Sequence, residues 1–353
     1  MRTINPVNHK KLIIDVLTMA GLTTEQAVTA STVMAYADQR GIDSHGMILL
    51  NTYVERIEKQ IIKKKPSYTW ELNKGVIALL DGDLGMGHYI GDIAMKKAIQ
   101  LAKEHTIGLV FVKNTSHYGA SGYYTELAAK EDMIGFSTTN TLPLMAPTGG
   151  AERVLGNNPI SFSIPREAEN PIILDIASSV VAAGKLMVAE QKKQEIPLDW
   201  ALDIDGNPTT DPYAGFKGGG SLIPLGNHKG YGLSLIMDVL AGILTGAGYG
   251  KNVGHSDIGF VMMAINTSAV MDKNKYNTRL NDLTGMVKDS KKAKGTDNIY
   301  LPGEIEYLNQ KTRLAQGIPV NKNLYTELEK LTAKLGLNMN DYFTVQQMDS
   351  SIV

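Results

Sequence analysis

Residues 75–112, GVIALLDGDLGMGHYIGDIAMKKAIQLAKEHTIGLVFV, decide the fold class. A short apolar run, a glycine-rich turn, an amphipathic helical stretch and a second apolar run make a β-α-β unit. Glycines stand where such a unit would hold a dinucleotide pyrophosphate. However, Gly85-Met86-Gly87-His88-Tyr89-Ile90-Gly91 has the spacing G-x-G-x-x-x-G, and no acidic residue ends the second strand to bind a ribose hydroxyl. The turn therefore reads as a tight entry into a helix in preference to a nucleotide loop. Further β-rich runs, MIGFST (133–138) and PIILDIA (171–177), alternate with helical segments at 90–104 and 121–131, which predicts an α/β core over 75–305.

Outward from that core the texture becomes helical. Leu12, Ile13, Val16 and Leu17 keep helical spacing up to Gly21, and Thr23-Thr24-Glu25-Gln26 resembles a capping box opening a second helix. A third helix is predicted from Leu49, Leu50, Tyr53, Val54, Ile57 and Ile61, before Lys63-Lys64-Lys65-Pro66. After Pro302, Leu324, Leu328, Leu331 and Leu335 form another apolar stripe. The tail is expected to pack with the N-terminal helices as one discontinuous helical domain, 1–74 plus 306–353. The polar stretch 288–298, KDSKKAKGTDN, reads as a loop.

The chain has 353 residues, enough for two domains, with 35 Lys and Arg against 36 Asp and Glu. The net charge of -1 gives no field to draw nucleic acid or an anionic membrane surface, and neither is expected as a partner. The complete lack of cysteine removes disulfides, thiolate metal sites and cysteine nucleophiles. The most apolar stretch, 231–244, is shorter than the ~20 residues that span a bilayer and contains Asp238, so it is expected to be a buried helix. The N-terminus lacks a signal-peptide pattern, and a cytoplasmic location is expected. A Walker loop, an HExxH motif and a GxSxG elbow are all missing from the sequence, and no metal is expected.

Two of the seven histidines are singled out, each one or two residues before a glycine at a loop–helix junction: His45 in RGIDSHG (40–46) and His117 in SHYGASGYY (116–124). Imidazole titrates near neutrality, which suits proton transfer, and the glycines let backbone approach a ligand. Either ring also fits the plainer role of a satisfied loop histidine, the role read for His9, His88, His105 and His255. Gly226-Asn227-His228-Lys229-Gly230 places a lysine at a helix start, a good seat for a pyrophosphate or carboxylate. Asp175 ends a strand, where α/β sheets place ligands, or caps a helix.

With those residues assembled, the chain resembles the malate/L-lactate dehydrogenase family of the second type, which includes sulfolactate, ureidoglycolate and diketogulonate oxidoreductases. The resemblance spans about 5–340 and is carried by RGIDSHG, SHYGASGYY, TNTLPLMAPTGG (139–150), LGNNP (155–159), ILDIASS (173–179), WALDIDGNPTTDP (200–212), PLGNHKGYGL (224–233) and LPGE (301–304). It implies a non-Rossmann nicotinamide-binding sheet core, a homodimer, and hydride transfer between NAD, or NADP, and a small 2-hydroxy or 2-keto acid. Carried over, the proton carrier is His45 or His117, with His45 preferred because Ser44 and a nearby carboxylate can orient it. Cofactor contacts are implied at Asn140, Thr141, Asp175, Ile176, Ala177, His228, Lys229, Gly303 and Glu304. One departure stands out: where relatives carry arginines suited to a substrate carboxylate, this chain has Leu49 and Thr52. Lys229, Arg40 and His117 are the remaining candidates for that contact. The rival readings are a reductase of cyclic imines (pyrroline- or piperideine-2-carboxylate), a hydrolase using Ser44 or Ser121 with a histidine, and a non-catalytic cofactor-binding protein. For the hydrolase, the adjacency of Ser44 and His45 makes a direct relay awkward.

Overall fold

The computed structural model describes residues 2–343, Ala168 apart. Two units emerge, one combining Met1–Gln60 with the chain from Glu306 onward, the other Ile61–Ile305. The first begins with β1 (Arg2–Ile4) and α1 (Pro6–Met19); Pro6 occupies the first turn, and the Asn5 side chain accepts from the Asn8 N–H at 2.8 Å. Helix α2 (Thr24–Arg40) opens with the expected capping box, Thr23 and Gln26 bonding each other's backbone, and Gly41 ends it at φ +83. Helix α3 (Leu50–Glu58) buries Leu50, Tyr53, Val54 and Ile57, the face that the spacing predicts.

In the larger unit β2 (Thr69–Lys74), β3 (Ile77–Gly85), α4 (Gly87–His105), β4 (Ile107–Thr115), α5 (Ser121–Ala129), β5 (Met133–Thr139), β6 (Ile160–Ile164) and β7 (Ile172–Ile176) follow one another. Helix α6 (Ala183–Gln191) precedes a small pair, β8 (Ala201–Leu202) and β9 (Ser221–Leu222), with the short α7 (Pro212–Gly215) between them. Helix α8 (His228–Asp238) leads through a π-helical turn, Val239–Ile243, towards β10 (Ile258–Asn266) and α9 (Lys273–Lys288). The seven-stranded sheet has the order β2-β3-β4-β10-β5-β6-β7. Only β3 and β4 are parallel, joined by α4, and this is the β-α-β unit read from residues 75–112. Because β10 runs antiparallel to β4 and β5, and β6 antiparallel to β5 and β7, strands β3, β4, β5 and β7 all finish on one edge. The register lays that edge out as Gly85 opposite Thr115, Thr115 opposite Ile258, Phe260 opposite Thr139, Thr138 opposite Ile160, and Ile160 opposite Ile176.

Helices sit close on this sheet where strands carry glycine. A Cβ on Gly108 of β4 would lie 2.0 Å from the Ala98 carbonyl oxygen of α4, and one on Gly135 of β5 would lie 2.3 Å from the Thr125 carbonyl oxygen of α5. Tyr118 stacks between Tyr124 and Phe260, with ring centroids 5.0 Å apart on either side.

Two expectations are corrected. The stretch 231–244 is helical but not buried: Ser234, Met237, Asp238, Ala241 and Gly242 face inward, while Leu233, Leu235, Ile236, Val239, Ile243 and Leu244 are exposed. The smaller unit ends at residue 60 instead of 74, because β2 pairs with β3 and so belongs to the sheet.

The chain then returns to the first unit through α10 (Glu304–Gln316), β11 (Ile318–Val320) and α11 (Lys322–Lys334). Strand β11 pairs antiparallel with β1, and α11 buries Leu328 and Leu331, in the same unit as α1 to α3. Residues 344–353 of the expected tail lie outside the described residues.

The approach at Gly135 generates a test. Because the atom in the way belongs to backbone, Gly135→Ala is expected to destabilise the larger unit by ~1–3 kcal/mol, read as a lowered urea midpoint by circular dichroism. An unchanged midpoint would mean that α5 is not seated on β5 as described.

Candidate active site

The finishing edge of the sheet gathers most of the singled-out residues. His117 follows β4, and the glycine turn between β3 and α4 holds its loop: a Cβ on Gly87 would lie 2.1 Å from the Ser116 carbonyl oxygen and 2.6 Å from that of His117. Ser116 Oγ accepts from the Gly87 N–H at 3.0 Å and donates to the Gly85 carbonyl at 3.3 Å. Gly87 thus serves close packing under the His117 loop, while Gly91 lets α4 pack on the Tyr124 ring. The His88 ring meets the His117 ring edge-on, with centroids 6.4 Å apart. Asp175, on β7, accepts from the Gly122 N–H at 2.7 Å in the first turn of α5, where a carboxylate is favoured. Ser121 is buried, its hydroxyl 2.6 Å from that of Tyr118, whose own ionisation burial disfavours.

The expected cofactor residues lie alongside β5, β6 and β7. Asn140 is fully buried; its Nδ2 donates to the Gly248 carbonyl at 2.6 Å and its Oδ1 accepts from the Gly259 N–H at 3.0 Å. Its carboxamide therefore ties the loop at Gly248 to strand β10. Thr141 is partly exposed, and its N–H donates to Asn158 Oδ1 at 2.9 Å. Asn158 Nδ2 in turn donates to the Ser234 carbonyl of α8 at 3.0 Å and lies 3.4 Å from Asp238 Oδ1, on a carboxyl whose pKa burial raises.

The start of α8 rests on the chain leaving β7. The Leu225 N–H donates to the Ser178 carbonyl at 2.8 Å, and a Cβ on Gly230 would lie 2.2 Å from that same oxygen. This brings Ile176 and Ala177 near the first turn of α8, where His228 and Lys229 are exposed and no side chain caps the helix. Asn227 just before it has φ +54, a conformation that costs ~1–3 kcal/mol in a non-glycine residue and collects at ligand sites. Gly303 adopts φ +86, which favours glycine, and packs on Ile173, where a Cβ would lie 3.1 Å from the backbone N and O. For Glu304, burial opposes its charge, but Lys288 Nζ at 2.6 and 2.8 Å and the Leu301 N–H at 2.8 Å outweigh it and hold the carboxyl below its usual range.

Ser44 and His45 belong to the smaller unit, on the turns between α2 and α3. Ser44 Oγ lies 2.8 Å from His45 Nδ1, so the adjacent pair does meet directly. Burial of the His45 imidazole disfavours its charged form and lowers its pKa from 6.5 to about 4, although the residue keeps some exposure. Leu49 and Thr52 follow, both partly exposed. Arg40 is buried, its guanidinium 3.8 Å over the Tyr36 ring and 4.9 Å from that of Tyr307.

Sequence reasoning missed the residues that support the His45 loop. Asp38 Oδ2 accepts from the Met47 N–H at 2.8 Å and lies 2.7 Å from His9 Nε2, while Arg313 binds both the Asp38 carbonyl and the Asp43 carboxylate. The one available signal was Gly46, next to the histidine. Among the described residues no cluster of His, Asp or Glu could hold a metal ion.

Comparison with known proteins agrees along nearly the whole chain. The sequence model described as malate/L-lactate dehydrogenase matches residues 4–329. A malate dehydrogenase of Pyrococcus abyssi is 40% identical over 92% of each chain. An L-sulfolactate dehydrogenase of Methanocaldococcus jannaschii is 39% identical over 96% of this chain and 99% of its own. The solved sulfolactate dehydrogenase of Methanocaldococcus jannaschii superposes with a TM-score of 0.89, covering 96% of this chain and 99% of that one at 38% identity. With the sequence model matched over residues 4–329 and relatives 40% and 39% identical along nearly the whole chain, the chain belongs to the malate/L-lactate dehydrogenase family.

Proposed function

We propose that the protein, an oxidoreductase acting on the CH–OH group of a small 2-hydroxy acid, exchanges the hydride with NAD, or with NADP as a second acceptor, and moves the proton through His45. Support comes from the relatives that act on malate and sulfolactate. The observation that carries the proton assignment is the pairing of His45 Nδ1 with Ser44 beside a depressed imidazole pKa. A cytoplasmic location fits this chemistry, and among the described residues no helix is long and apolar enough to cross a membrane.

The residues fit a dinucleotide. At the start of α8 an exposed lysine and histidine stand at the positive end of the helix, and because the Lys229 and Gly230 N–H groups already bond the Gly226 and Leu225 carbonyls, it is these two side chains that offer donors to a pyrophosphate. Thr141 and the Ile176-Ala177 backbone offer further polar contacts. When bound, the nicotinamide supplies the hydride chemistry. His45, neutral at physiological pH, takes the hydroxyl proton of the alcohol at Nε2 while Ser44 fixes the ring at Nδ1, and returns it in reduction. Asp175 holds the start of α5 and thereby the loop that carries His117. With Leu49 in place of an arginine, the pocket rewards an apolar substituent over a second carboxylate.

A homodimer also belongs to this reading. Ile236, Ile243 and Leu244 are 54%, 55% and 58% exposed on one stretch of α8 and its π-helical turn, an apolar surface of the kind that marks an interface.

Four measurements test the proposal. His45→Ala should lower kcat by ~10²–10⁴ with cofactor affinity nearly unchanged, whereas full turnover would move the role to His117. In the wild type, kcat/KM for oxidation requires a neutral imidazole; it should therefore stay level as pH falls through 6.5 and drop only near pH 4. Lys229→Ala should weaken binding of the dinucleotide in a fluorescence titration, and an unchanged titration would remove Lys229 from the pyrophosphate site. Light scattering on Ile236→Glu with Leu244→Glu should show half the mass of the wild type; an unaltered mass would place the subunit contact elsewhere.

A further inference from the structure

The smaller unit holds a buried acid–imidazole pair that the proposed chemistry does not use. His9 is completely buried on α1, and its Nε2 lies 2.7 Å from Asp38 Oδ2 on α2. Among the described residues His9 Nδ1 is buried with no hydrogen-bond partner, so the proton belongs on Nε2, where Asp38 accepts it; a proton on Nδ1 would be buried without an acceptor. The ring therefore donates to Asp38, and the same Oδ2 accepts from the Met47 N–H at 2.8 Å.

Asp38 meets the His45 loop twice. Besides the bond to Met47, its carboxyl group fills the space of the missing side chain at Gly46: a Cβ there would lie 1.8, 2.0 and 2.3 Å from Oδ1, Cγ and Oδ2. On the other side of His45, Arg313 ties Asp43 to the Asp38 carbonyl. The loop is thus held two residues before His45, through the Asp43 carboxylate, and two residues after it, through the Met47 N–H.

We propose that Asp38, oriented by His9, is a positioning residue for His45, holding the Asp43–Met47 loop so that the imidazole keeps its sheltered setting. The proposal deepens the assignment of His45 as proton carrier and rests on that reading for its kinetic consequence. Its structural content, that the ring's setting depends on the pair, stands apart from turnover. The low pKa of His45 agrees with such a setting.

The test uses the full-length enzyme with ¹³C-labelled histidine, the His45 signal being assigned by its loss in His45→Gln. In the wild type His45 should not titrate between pH 5.5 and 8, and a deuterium-exchange peptide containing Met47 should keep a slowly exchanging amide. His9→Met, of similar size but with no donor, should bring the His45 midpoint into that range and lower kcat about tenfold with the cofactor dissociation constant unchanged. His9→Gln, whose amide can donate to Asp38, should restore both within about threefold and half a pH unit. If His9→Met leaves the His45 midpoint and kcat as in the wild type while melting earlier, the pair only stabilises the fold and the proposal is overturned. Fast exchange at Met47 in the wild type overturns it even where His9→Met fails to fold. A midpoint that moves without any change in kcat upholds the positioning and instead refutes His45 as proton carrier.

Discussion

Helices of the larger unit lie directly on strand backbone because, at Gly108, Gly135 and Gly259, the strands carry no Cβ and a helix carbonyl occupies its place. At Gly259 the intruding oxygen is that of Ala241, in the π-helical turn after α8, which seats that turn on β10. Such contacts gain dispersion and exclude water, yet leave no freedom for adjustment. The positions of α4, α5 and α8 follow from them. So do the loops those helices begin: Gly87 sets the approach of the His117 loop, and Gly230 sets α8 against Ser178.

The site is an economy of backbone placed by side chains that do not react. Asn140, Asn158 and Asp238 are buried and bonded to neighbouring backbone, so their polar atoms serve to bring Thr141, the Gly248–Gly250 turn and α8 into place. A buried polar network of this kind is stable only when its members are satisfied, which makes the loops it joins rigid relative to one another. The depressed basicity of His45 has a chemical meaning as well: a weak base is a strong acid once protonated, so the imidazole is suited to delivering a proton to a carbonyl in the reductive direction.

Local signals in the sequence carried far. The β-α-β unit, the capping box at Thr23, the apolar faces of α3 and α11 and the blocks around His45 and His117 all depend on neighbours within one or two turns, and periodicity reads such neighbours. Asp38 was invisible because its partners, His9 and the Met47 amide, come from other elements, and nothing in an alanine-rich helix marks one aspartate as buried. The exposure of α8 was misread for a related reason. An almost wholly apolar segment has no polar face to show which side meets the core.

The position of β10 in the sheet bears on how the chain is made. It lies between β4 and β5, with about 120 residues separating the end of β5 from its first residue. On the ribosome, β3 and β4 can pair soon after synthesis, as can β5, β6 and β7, but these two half-sheets share no ladder until Ile258–Asn266 has emerged to bridge them. During that interval four strand edges are open where the finished sheet has two, which is the kind of exposure that invites pairing between nascent chains and recruits chaperones.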